Sequence, residues 1–385
     1  MTRKIVEAVR TAARDFNASS WTQPRQMDFH RDQITRALLS GATEYQHAFV
    51  YPAFDVDGYI KAISATAEMA KDILPEILRE PVRHHLDSCA KRALALASGQ
   101  DDRYEATAID LDGLPDENIV ANAWSTLTGV ESPPVDSAGP ITAEELSSRF
   151  ETALNHYALT NWRVQISADM SARMSVNGPH RRIRVRSGAN FSTIDADRLL
   201  IHEIGGHVLR WENAARQPEP LALLPLGSTV PTEEGLALWN ETAAGLLDPR
   251  ALRTYAARTL AVDMARTMGI LPLAAALHHH LELSSAVEIA IRVKRGLRNP
   301  NNTGGLTKDW GYLGGLRFVT TLAQSDRAGL QILQGVKWSI NHLPLAKELH
   351  SEGRLASPEL LPEPTKLGIS STMLTAKAAP PGPAQ

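Results

Sequence analysis

Residues 199–212 read Leu-Leu-Ile-His-Glu-Ile-Gly-Gly-His-Val-Leu-Arg-Trp-Glu, and the run His202-Glu203-Ile204-Gly205-Gly206-His207 inside them decides the fold. Two imidazoles and a carboxylate on one helix are the parts of a metal-dependent hydrolase: two ligands and a general base. In the usual His-Glu-x-x-His arrangement the histidines lie four apart, on one helix face. Here they lie five apart, which on a regular helix sets them about 140° from one another. A π-type turn, bonded i→i+5, restores a common face. The Gly205-Gly206 pair tolerates the backbone deviation this requires. The reading is therefore an amphipathic helix over 193–212, wound as a π turn at its centre and capped by Ser192, with Asp195 close to a capping box.

Two strand-like runs precede that helix: Trp162 to Ile166, and Arg182 to Arg186 with apolar and basic residues alternating. Asn177-Gly178, a favoured turn dipeptide, lies in the connection. The strand-strand-helix order matches the local plan of zinc metallopeptidases, where a sheet packs on the motif helix and an edge strand pairs with the substrate. Arg182 to Arg186 is the candidate edge strand; a structural strand with a solvated basic face is the equal alternative. A catalytic zinc site takes a third protein ligand. Downstream stands Thr232-Glu233-Glu234, with Thr232 placed to cap a helix whose first turn holds both glutamates. Adjacent glutamates point about 100° apart, so one of them ligates. Glu234 is the choice, subject to where the helix starts.

The chain has 385 residues, 43% hydrophobic and 22% charged, values of an ordinary globular protein. Its net charge of −3 gives no bulk pull toward nucleic acid or a membrane surface. Cys89 is the single cysteine and reads as a small helical core residue, which suits a reducing compartment. No signal peptide and no membrane-length apolar run is found, and a cytoplasmic location is expected. Helical spacing marks 56–79, broken at Pro75, and 84–98. Further helices are expected over Glu117 to Leu127, 141–158, 232–244, 249–268, 271–295 with a break near 283, and 310–323. A Pro/Gly/Ser-rich loop at 129–140 marks a boundary. The expected organisation is a mostly helical N-terminal region (1–140), a zinc metallopeptidase domain (141–363) and a disordered tail (364–385). The fold class is α+β, zincin-like: mostly helical, with a small sheet on the motif helix. His278-His279-His280 is not a metal cluster, because consecutive helical residues point apart, and His84-His85 is read the same way.

His202 to Arg210, followed by Thr232 to Ala237, resembles the bacterial QEGLA-motif proteins, often labelled flavohemoglobin expression-modulating proteins. It also resembles the microtubule-associated tyrosine carboxypeptidases, which share their catalytic domain. The likeness continues through RVKRG (292–296), LTKDWGYLGGLRFV (306–319) and EGRLASPELLP (352–362), and more weakly through EYQHAFVYP (44–52) and Pro115-Asp116. It departs at Glu233, where the bacterial motif has Gln, and at Lys294, where an aromatic is expected and the pocket could change. The resemblance implies zinc on His202, His207 and Glu234, with Glu203 catalytic, in agreement with the reading of the residues themselves. It also implies peptide hydrolysis, with removal of a C-terminal tyrosine as one form. Tyr312 is the candidate donor to the developing oxyanion. Arg292, Arg295 and Lys308 are the candidates to hold a terminal carboxylate, with Asp309 orienting one of them. The expected partner is a peptide or protein tail, with no nucleic acid and no membrane. Two other readings stand beside this one. The first is a non-catalytic protein that binds a peptide tail on the same fold, for which Glu203 would have no use. The second is a processing peptidase for a biosynthetic precursor.

Overall fold

The computed structural model of the chain describes residues 2–15, 21–129, 140–168, 170 and 172–369. Helices α1 (Thr2–Asp15), α2 (Met27–Leu39), α3 (Val56–Ile73), α4 (Glu76–Ser98), α5 (Asp101–Asp112), α6 (Glu117–Gly129) and α7 (Ala143–His156) come first. Strands β1 (Arg163–Ser167), β2 (Met174–Asn177) and β3 (Arg182–Arg186) follow. The motif helix consists of α8 (Thr193–Leu199), a π-helical segment (Leu200–Val208) and α9 (Leu209–Ala215). After it run α10 (Val230–Ala243), α11 (Pro249–Ala265), α12 (Ile270–His278), α13 (Leu283–Lys294), α14 (Gly311–Ser325), α15 (Arg327–Gln334) and α16 (Leu343–Ser351). The fold is α+β, mostly helical, with one small sheet.

Local chemistry places several of these boundaries. Pro75 lacks the N–H needed to continue α3 and caps α4 instead. Thr142 and Glu145 form a reciprocal capping box that starts α7. Ser192 Oγ accepts the amide of Asp195 at 3.0 Å, which opens the motif helix as its sequence predicts.

The sheet differs from expectation. It has three strands in the order β1-β3-β2, with β1 parallel and β2 antiparallel to β3. Arg182–Arg186 is therefore the central strand, and its backbone groups are spent on both neighbours rather than free for a substrate. The edges are β1 and β2. β2 holds four residues, too few for its alternation to stand out. Ile183 and Val185 of β3 point into the core beneath the motif helix, and the arginines between them face away.

Three large apolar clusters, beside a small one of Ala95, Tyr104, Leu297 and Leu306, carry the packing among the described residues. One joins the sheet and α7 to the motif helix through Leu146, Phe150, Ile183, Val185, Leu200, Ile204 and Val208. The second joins α1, α3 and α4 to Leu330, Leu333, Trp338 and Leu349. The third joins α2, Tyr45 and Phe49 to α11, α12 and α13. Residues before 140 thus share their cores with residues after it. Residues 130–139 of the expected loop (129–140) and 370–385 of the expected tail (364–385) lie outside the described residues. Of that tail, Leu367 and Ile369 are buried against the sheet cluster.

Two close approaches fix where α10 lies. A Cβ on Gly206 would meet Ala237 Cβ at 2.6 Å and its Cα at 2.8 Å, so the motif helix touches α10 backbone to backbone. On the other side, a Cβ on Gly235 would meet Gly315 O at 2.3 Å. Helix α10 is pinned between the motif helix and α14 by residues without side chains.

Candidate metal centre

The π segment brings the two histidines of the motif together. Their ring centroids lie 5.1 Å apart with an interplanar angle of 75°. Glu234, from the first turns of α10, faces both: its Oε2 is 3.5 Å from His202 Nε2 and 3.8 Å from His207 Nε2. One ligand atom from each of these residues lies within 4.8 Å of the others, and among the described residues this is the one group with that geometry.

The donor set fits a metal on two counts. Glu234 Oε2 is buried without a hydrogen-bond partner, a costly state for a carboxylate oxygen that a cation would relieve. Burial raises the Glu234 carboxyl, and the neighbouring His202 and His207 outweigh burial and hold it at about 2, so it stands ionised. The far nitrogen of each ring faces a carboxylate, and that of His202 lies within hydrogen-bond distance of it. His202 Nδ1 is 2.6 Å from Glu241 Oε1, and His207 Nδ1 is 3.6 Å from Glu233 Oε2. Fixing Nδ1 in this way turns Nε2 toward the centre.

Glu233 and Glu234 separate as adjacent helical residues do. Glu233 turns to Arg210 (2.7 Å) and Lys337 (2.5 Å), which hold its carboxyl far below the usual range against the opposing effect of burial. Thr232 does not cap. Helix α10 starts at Val230, with a proline in its first turn, and the Thr232 hydroxyl accepts the amide of Ile340 at 2.8 Å. Glu234 remains the residue aimed at the histidines.

Glu203 is 9% exposed and makes no hydrogen bond or ion pair with another described residue. It is a free carboxylate on the helix that carries both histidines. Tyr312, at the start of α14, is buried and stacks on Tyr255 with centroids 4.8 Å apart and planes 8° apart. Burial and the nearby Glu234 charge push its hydroxyl pKa up, so the hydroxyl keeps its proton.

The three carboxylate-clamp candidates gather around Asp309. Arg292 grips both Asp309 oxygens, and its Nη2 also lies 3.4 Å from the Tyr312 hydroxyl. Lys308 Nζ donates to Asp309 Oδ1 at 3.1 Å. Arg295 donates from Nε to the carbonyl of Arg292 at 3.0 Å, and burial together with the Arg292 charge pulls its pKa down to about 10. Lys294 does not shape this region. It is fully buried and donates to the carbonyls of Met268 (2.6 Å), Asn302 (2.7 Å) and Gly304 (2.9 Å).

Sequence reasoning missed Glu241, Arg198, Tyr255 and Arg258. For Glu241 a signal existed: it stands seven residues after Glu234, two helical turns on and so on the same face. The others come from α8 and α11 and carry no motif. The remaining histidines are scattered, as expected. His278 ends α12 and meets the Leu281 carbonyl at 3.0 Å, His280 packs edge-on to Trp124, and His84 pairs with Glu80. Cys89 sits half-buried in α4, 3.8 Å from His85 Nε2.

The sequence profile of the family described as microtubule-associated tyrosine carboxypeptidase matches residues 50–377. The chain belongs to that family. The match runs through the π segment, α10 and α14, and it includes α3 to α6, so the family domain extends well upstream of the motif helix. No curated protein matches the chain. Among the described residues no helix is long and apolar enough to cross a membrane.

Proposed function

We propose that this member of the tyrosine carboxypeptidase family is a zinc-dependent peptidase that removes a C-terminal residue, tyrosine or another aromatic, from a peptide or protein tail. The observation that carries the reading is the convergence of two imidazole Nε2 atoms and the orphaned Glu234 oxygen, with Glu203 on the helix that bears both imidazoles. Two nitrogens and one carboxylate oxygen form the ligand set of catalytic zinc. His202, His207 and Glu234 would hold the ion, which when bound supplies Lewis-acid polarisation and makes water acidic enough to attack at neutral pH.

The remaining chemistry belongs to the chain. Among the described residues Glu203 has no partner competing for its oxygens, so it is free to take the proton of the attacking water and to pass it to the leaving amine. Tyr312 holds its proton and can donate a hydrogen bond to the oxyanion that develops on the scissile carbonyl. Arg292 touches the Tyr312 hydroxyl and is itself locked by Asp309, so it positions that donor. Arg292, Arg295 and Lys308 make the wall around Tyr312 electropositive, which suits a substrate ending in a carboxylate. The single cysteine, half-buried and unpaired with another, fits a cytoplasmic enzyme.

The test is a mass-spectrometric digest of peptides varied at their last two residues, with zinc-loaded wild type beside Glu203→Gln. Loss of one C-terminal residue with wild type alone is the expected result. Internal cleavage would overturn the exopeptidase reading. Equal activity in Glu203→Gln would remove Glu203 from its role. Elemental analysis of the purified protein gives the metal directly.

A further inference from the structure

Arg258, in α11, stands out in the cluster around Tyr312. Its guanidinium carbon lies 5.0 Å from the Tyr312 ring centroid and 5.6 Å from that of Tyr255, the two rings being stacked. Its Nε is buried without a hydrogen-bond partner, and no ion pair joins it to another described residue. The other cations here are already engaged. Arg292 and Lys308 share Asp309, and Arg295 is turned to a backbone carbonyl. Arg292 and Lys308 pair with Asp309, and the charges of Arg258 and Arg295 also bear on it, while the other carboxylate that acts on this cluster, Glu234, belongs to the candidate metal centre. A largely buried group with this excess of positive charge is set up to receive an anion.

We infer that Arg258 is the residue that receives the terminal carboxylate of the peptide substrate, its planar fork held beside the stacked rings of Tyr255 and Tyr312. Cation–π contact orients a guanidinium without using its N–H groups, which leaves them for a bidentate carboxylate. Tyr312 then joins two tasks. Its ring supports the carboxylate receptor, and its hydroxyl, 3.4 Å from Arg292 Nη2, is the candidate oxyanion donor. The spacing between the two fixes which peptide bond is presented, so the enzyme removes a single residue. This inference rests on the carboxypeptidase reading and names the substrate group that the site recognises.

The experiment measures binding of one acetylated pentapeptide, as free acid and as C-terminal amide, to zinc-loaded full-length Glu203→Gln protein by calorimetry. The double variants Glu203→Gln/Arg258→Gln and Glu203→Gln/Arg258→Lys are measured alongside. The parent should bind the acid at least tenfold more tightly than the amide. Arg258→Gln should bring the two close to equal, and Arg258→Lys should retain part of the preference. A preference kept in full by Arg258→Gln, with its thermal melt unchanged, overturns the assignment, and so does a parent that shows no preference. Should Arg258→Gln fold poorly, the lysine variant decides, since full preference there argues against a bidentate guanidinium. The wild-type digest separates this from the parent reading. Trimming with an Arg258-independent preference removes Arg258 alone. An Arg258-dependent preference without trimming removes the catalytic reading and leaves the receptor.

Discussion

Glu241 Oε1 lies 2.6 Å from Nδ1 of His202, and Glu241 is wholly buried on the same helix as Glu234. One helix thus supplies a candidate ligand and, two turns on, the group that orients another ligand. Arg198 Nη1 reaches Glu241 Oε1 at 3.3 Å and the Tyr255 hydroxyl at 2.9 Å, which ties this carboxylate to the Tyr255–Tyr312 stack. Replacing Glu241 by Gln keeps the shape and removes the charge that favours N–H on Nδ1. Metal affinity should fall about 10–100-fold, as read by competition with a chelator of known affinity. Unchanged affinity would mean that packing alone holds His202.

Gly206 and Gly205 are adjacent and should respond differently to alanine. At Gly206 the new methyl would meet Ala237 Cβ and Cα, so α10 and its Glu234 must move. At Gly205 it would meet Pro362 Cβ at 2.9 Å, in the segment after α16, and not α10. Gly206→Ala should destabilise by about 1–3 kcal/mol and also lower the metal content of the purified protein. Gly205→Ala should lower Tm with metal content kept. Equal metal content in both would show that the Gly206–Ala237 contact does not set the position of Glu234.

These relationships explain which parts of the site were legible in the sequence. The π turn could be read because the five-residue spacing and the glycine pair are two departures from a regular helix that only make sense together. Glu234 could be read because it follows the motif in a helical context. The charge partners of Asp309 were half legible: Arg292, Lys308 and Asp309 sit in family-like segments, but nothing in their spacing says which of them pair. Arg258 and Tyr255 were illegible, since they reach the site by the packing of α11 on α14, a tertiary relationship without local pattern. The same holds for the sheet, where the turn at Asn177-Gly178 was visible while strand β2 before it and the parallel pairing that makes β3 central were not.

Lys294 departs from the aromatic expected in its segment, and its position makes the departure a matter of stability. Its ammonium sits among carbonyls from the end of α11 and the loop after α13, and the Ala265 carbonyl stands at 3.4 Å beyond the three closer ones. Lys294→Met should leave several buried acceptors without a donor, at about 1–3 kcal/mol for each one left unsatisfied. A clear drop in urea midpoint is expected, with KM for cleaved peptides unchanged. A changed KM at unchanged stability would return Lys294 to the pocket.

Asp309 gives the pH dependence. Burial would raise its carboxyl, but Arg292 and Lys308 outweigh burial and hold it well below its ordinary value of 3.8. In the window below 3.8 the unfolded chain takes up a proton that the folded chain does not. Stability from this group is therefore complete above 3.8 and is lost as pH falls toward the folded value. Asp309→Asn removes the anion and leaves Arg292 and Lys308 without it. At neutral pH it should cost about 3–5 kcal/mol, as breaking a buried pair does. On acidification the wild type should lose stability faster than the variant, so the difference between them narrows below pH 3.8. Urea denaturation of both proteins at neutral pH and at two values below 3.8 checks this, and a gap that stays constant or widens would show that Asp309 is not ionised in the folded chain.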